Sequence, residues 1–113
     1  MTVDNIVQIL KDTGIEIDAD HPDHIDIDKI ETLPLPFAEV TASENQIYAD
    51  GKVYLTSTDV TIKLYSDRQL SKDLDVQRAV STLEAYGLRI SRVNSDEYFD
   101  GDGLYLNEYN TEV

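Results

Sequence analysis

Two histidines, His21 and His24, stand three residues apart among Asp18, Asp20, Asp23, Asp26 and Asp28. Imidazole nitrogen and carboxylate oxygen both suit zinc or nickel, so this is a conceivable donor set. A metal site also needs neighbours that fix its ligands, and nothing in this loosely spaced run supplies them. A solvated acidic loop explains the same residues more simply, and no metal ligand is assigned. The run Asp96 to Asn107 has the length of a calcium loop, with Asp100 and Gly101 in suitable places. Its third position is Tyr98, and its twelfth is Asn107 where a bidentate Glu is required. An Asp- and Gly-rich β-turn is the better reading. There is no Gly-x-Ser-x-Gly, no glycine loop for phosphate and no His-Glu-x-x-His. Neither a catalytic residue nor a cofactor is assigned, and the chain reads as a non-enzyme. The rival is a metal-dependent enzyme centred on His21 and His24, which a metal assay decides.

The tyrosines are the more informative residues. Of seven, five fall on predicted strands or their edges: Tyr48, Tyr54, Tyr65, Tyr105 and Tyr109. Tyrosine is common in strands because it packs well on a pleated surface. It is also favoured in interfaces, offering contact area and a hydrogen-bonding tip. Alternation puts Tyr65, Tyr105 and Tyr109 on the face opposite the aliphatic residues of their strands, which makes them candidates for a partner surface. Arg68, Arg78, Arg89 and Arg92 join them, because arginine is favoured where subunits meet.

These side chains must be positioned by few elements, since 113 residues make one domain and one core. The predicted first helix is Val3 to Thr13. Val3, Ile6, Val7 and Leu10 recur on one face, Thr2 can cap the start, and Gly14 suits the left-handed position after the end. Ile15 to Ile17 alternates and can begin a strand. From 18 to 36 the acids crowd together between Pro22, Pro34 and Pro36, which predicts an exposed connection. Short strands are predicted at Phe37–Thr41, Gln46–Ala49 and Val53–Leu55, with Asp50-Gly51 as a tight turn between the last two. Val60, Ile62 and Leu64 share one face of a strand over 59–65. A second helix is predicted from Ser71, as cap, to Tyr86, with Val76, Ala79, Val80 and Leu83 buried. Leu88 and Ile90 start a further strand, and Leu104–Tyr109 is the last. The sum is an α+β domain: a mostly antiparallel twisted sheet with two helices packed on one face.

Charge narrows the functional classes. Asp and Glu number 23 against nine Lys and Arg, a formal charge of -14. That field repels phosphates and anionic lipid, so direct nucleic-acid binding is not expected. Basic protein partners are attracted. Without cysteine there are no disulfides and no thiolate chemistry. No apolar run approaches the ~20 residues that span a bilayer, and Met1-Thr2-Val3-Asp4 lacks a basic leader. A soluble protein made inside the cell is the expectation.

The run Ile47-Tyr48-Ala49-Asp50-Gly51-Lys52-Val53-Tyr54, the strand end Lys63-Leu64-Tyr65-Ser66-Asp67, the helix over 71–86, the Gly87-Leu88 break and the closing Leu104-Tyr105-x-x-x-Tyr109 follow one another in an order that resembles the tail terminator, or tail-to-head joining, proteins of long-tailed bacteriophages and prophages. Leu35-Pro36-Phe37-Ala38 after an N-terminal helix fits as well. The resemblance spans about residues 35–113, and its motifs are short and tyrosine-rich. The acidic stretch 18–31 departs from it and reads as an insertion, and the second helix carries less charge than the pattern. The resemblance implies a virion protein of the tail or neck, made in the host cytoplasm. It would form a ring of six copies on the finished tail tube, stop tube polymerisation and meet the head–tail connector. No active site is implied, and DNA would pass through the ring. A closed ring needs two different patches that meet head to tail. Two other readings compete: a neck or head-completion protein of the same virion, and an acidic mimic of DNA that occupies a DNA-binding enzyme.

Overall fold

Helix α1 (Val3–Asp12) starts with a reciprocal cap. The Asn5 N–H donates to the Thr2 hydroxyl at 3.3 Å, and the Thr2 N–H donates to Asn5 Oδ1 at 2.9 Å, so two orphan donors of the first turn are satisfied. Asp4 in the first turn and Lys11 in the last complement the helix dipole. Gly14 ends the helix at φ 90°, which costs a side-chain-bearing residue steric strain. The buried stripe is Ile6, Ile9 and Leu10, with Val3 and Val7 partly buried beside it.

The computed structural model describes residues 1–17, 35–49, 51–99 and 103–113. His21, His24 and the acidic stretch 18–31 lie outside the described residues, as do Asp50 and residues 100–102, on which the turn expected at Asp100–Gly103 falls. Ile15 and Ile17 are buried, and Glu16 between them makes a single parallel bridge to Phe37. Its N–H donates to the Pro36 carbonyl at 3.0 Å and its carbonyl accepts from Ala38 at 2.9 Å.

The sheet has four strands: β1 (Phe37–Ala49), β2 (Lys52–Ser66), β3 (Ser91–Phe99) and β4 (Leu104–Glu112). Their spatial order is β1-β2-β4-β3, and every neighbouring pair is antiparallel. The connection from β2 to β3 carries helix α2 (Leu74–Ala85) and passes over β4. The architecture is therefore the expected α+β arrangement. Both helices lie on one face, where Ile6, Leu10, Val76, Ala79 and Leu83 meet Ala38, Val40, Val60, Ile62 and Leu64.

Several boundaries differ from the sequence reading; β4, for one, runs on to Glu112, past the expected end at Tyr109. The strands predicted at 37–41 and 46–49 are one continuous β1, because all of Phe37–Ala49 pairs with β2. The predicted strands 53–55 and 59–65 likewise merge into β2. Helix α2 is capped by Asp73 rather than Ser71, which lies in a 3-10 turn over Leu70–Lys72. The Asp73 carboxylate accepts from the Val76 N–H at 3.1 Å and from the Ser66 hydroxyl, so one buried acid ties the helix start to the end of β2. Leu88 and Ile90 pack against the core as an unpaired approach, and β3 begins only at Ser91.

Candidate interaction surface

Cross-strand register assigns each side chain to a face, because strand residues alternate. Val60, Ile62 and Leu64 stand opposite Thr111, Tyr109 and Asn107. Tyr109 therefore faces the helices and is only 3% exposed. The Arg92 guanidinium lies 6.0 Å from its ring centroid, a favourable cation–π placement. This corrects the expectation that Tyr65, Tyr105 and Tyr109 share a face opposite the core. Tyr105 has the parity of Tyr109, is half-buried and packs against Tyr98 at 4.8 Å between centroids, the rings tilted by 40°. Tyr65 alone lies on the other face, opposite Leu106, and stacks on Phe37 at 4.9 Å. Burial withdraws Tyr109 from any interface.

The face away from α1 and α2 has two regions. One is a small apolar cluster of Phe37, Leu104 and Leu106, all buried, with Tyr65 half-buried among them. The rest is acidic. Register places Glu39, Asp59, Glu97, Glu108 and Glu112 there, against Lys63, whose ammonium is 4.0 Å from Glu39. Burial raises the Tyr65 phenol above its ordinary value, and the carboxylates of Glu39, Glu108 and Glu97 raise it further by opposing a second negative charge. Burial also raises Tyr109, while the Arg92 charge and hydrogen bond pull it the other way.

The four arginines do not gather. Arg68 follows β2 and is exposed, 3.9 Å from Asp67. Arg78 is on the exposed side of α2 and pairs with Asp75 at 3.8 Å. Arg92 lies over Tyr109 at the start of β3. Arg89 lines a hollow of about 490 Å³ with Asp59, Glu112 and Thr111, at the far end of the β2–β4 ladder from Arg68.

Sequence reasoning missed two features. The first is Tyr98 on β3, one of three exposed apolar residues there with Val93 and Phe99. Two register shifts, at Arg92/Asn94 and Asn94/Glu97, break the alternation that would have revealed this strand. Asp96 sits at the second irregularity with φ 51°; its carboxylate accepts from the Leu70 N–H at 2.8 Å, and its own N–H donates to Asn107 at 3.0 Å. These bonds account for an Asp in the run once compared with a calcium loop. The second feature is an arm. Strand β4 pairs with β2 from Asp59 to Ser66, and Val113 adds two hydrogen bonds to Thr58, whereas the β1–β2 hairpin continues to Ala49 and Lys52. Past Thr58 it runs, among the described residues, as two strands, for about 20 Å at ~3.4 Å per residue.

No protein-family model matches the chain, and no curated protein matches it.

Proposed function

We propose that this chain is a structural subunit that assembles head to tail into a ring. In the form its residues 35–113 resemble, six copies cap the tail tube of a long-tailed phage, halt its growth and join it to the head connector. The observation that carries the assembling role is the projecting β1–β2 arm. A two-stranded ribbon, which the arm is among the described residues, is marginally stable in water, and unpaired strand edges are templates for pairing. Such a ribbon gains most by lying against another subunit. Ring closure further requires two different patches on one subunit, and the two ends of the sheet differ in charge. With the acidic face turned inward, DNA would traverse the ring without adsorbing, since like charges repel.

Electron microscopy of the purified protein at high concentration, with and without the tail-tube protein encoded by the same genome, tests this. Rings, or caps on tube ends, are expected. A monomer that ignores tubes sinks the reading. One observation favours a second reading: five carboxylates on one sheet face also suit a DNA mimic. Loss of DNA binding by a restriction enzyme or nuclease on addition of this protein would select it.

A further inference from the structure

The β2–β4 ladder has chemically opposite ends. At one end Asp59 stands directly across from Glu112. Like charges in that position repel, and neither makes an ion pair among the described residues. Arg89 lines the same hollow without coming within pairing distance.

At the other end Ser66 is opposite Tyr105, about 24 Å away at ~3.4 Å per residue. Arg68, Lys72 and Tyr105 surround a second hollow of about 310 Å³, with Asp67 as its acid. Tyr98, tilted against the Tyr105 ring, extends its aromatic wall. This corner is held firmly. The Ser66 hydroxyl donates to the buried Asp73 carboxylate and accepts from the Arg68 N–H at 3.1 Å, and the 3-10 turn bearing Lys72 closes on Gln69 at 2.9 Å. A cationic aromatic patch on a rigid frame is an unusual feature on a chain of charge -14.

We infer that the Arg68–Lys72–Tyr105 corner of one copy docks on the Asp59–Glu112 end of the next. The inference rests on the head-to-tail reading above and names its two patches. Arg68 and Lys72 relieve the facing carboxylates of Asp59 and Glu112. The patches lie at opposite ends of one ladder, so the contact is heterologous and propagates from copy to copy.

Charge exchange tests it. Sedimentation velocity is run on the unaltered protein, on Arg68→Glu/Lys72→Glu, on Asp59→Lys/Glu112→Lys and on an equimolar mixture of the two variants, each checked for native circular dichroism. All four positions are exposed, so folding is retained. Each variant alone associates at least about tenfold more weakly. The mixture regains association, because each altered patch then finds its opposite. A mixture that stays dissociated, or a single variant that assembles like the parent, overturns the docking. If the unaltered protein is monomeric at all concentrations, both this contact and the ring reading fail. If the mixture rescues an assembly that is not a ring, the contact stands and the ring reading falls.

Discussion

Tyr109 and Tyr105 carry the same side chain two alternations apart, and burial gives them different roles. Tyr109 fills the core opposite Ile62. Tyr109→Ala should cost about 3–5 kcal/mol, as for other large aromatic truncations in a core. Tyr105→Ala, with its ring half-exposed, should cost clearly less. Urea unfolding of both variants measures the gap, and equal losses would contradict the burial. The phenols also set an alkaline limit. Tyr65 and Tyr109 both hold their protons past the ordinary value of 10.0 in the folded chain. Below that value they are neutral whether the chain is folded or not, and their contribution is fully present. As pH rises through 10 and the folded pKa values, the unfolded chain ionises first and stability falls. Melting temperatures between pH 9 and 11 should drop, with Tyr65→Phe dropping less.

The two helices show how caps position an element. Asp73 satisfies Val76 and binds the Ser66 hydroxyl while buried, so Asp73→Ala should destabilise by about 2 kcal/mol, near the upper range for a cap. Ser71→Ala should change stability by less than about 0.5 kcal/mol, since Ser71 is exposed in the preceding 3-10 turn. Chemical denaturation of the pair distinguishes the two caps. In the β1–β2 hairpin, local stability should follow the number of strands. Amides at Val60–Leu64, between β1 and β4, should exchange far more slowly than those at Asn45–Ile47 in the arm. Native-state hydrogen exchange reads this directly. Protection of the arm only at high protein concentration would mark it as an assembly contact.

For the molecule as a whole, electrostatics and shape act together. The long dimension is 51 Å against 30 and 23 Å. A net charge of -14 opposes random association, so assembly requires local complementarity, which the cationic corner and the acidic ladder end supply. A contact built on exposed charge is screened by salt. Association should therefore weaken between about 0.05 and 0.5 M NaCl, as sedimentation would show. Indifference to salt would assign the contact to apolar surface instead.

The local code of this chain was legible wherever one residue type has one physical use. Thr2 and Gly14 bounded α1, Gly87 ended α2 at φ 93°, and the alternation of Val60, Ile62 and Leu64 marked the core face. The fold class followed from that pattern alone. What the pattern could not carry was relation between strands. A strand's period distinguishes its two faces without saying which one the helices cover, and the register of β4 against β2 put Tyr109 inside and Leu106 on the other side. Bulges erased the period of β3, so Tyr98 went unseen. The length of the β1–β2 arm depended on where β4 stops. The separation of Arg68 from Asp59 likewise depended on pairing, because fewer than ten residues of sequence become the full length of a ladder once β4 lies beside them.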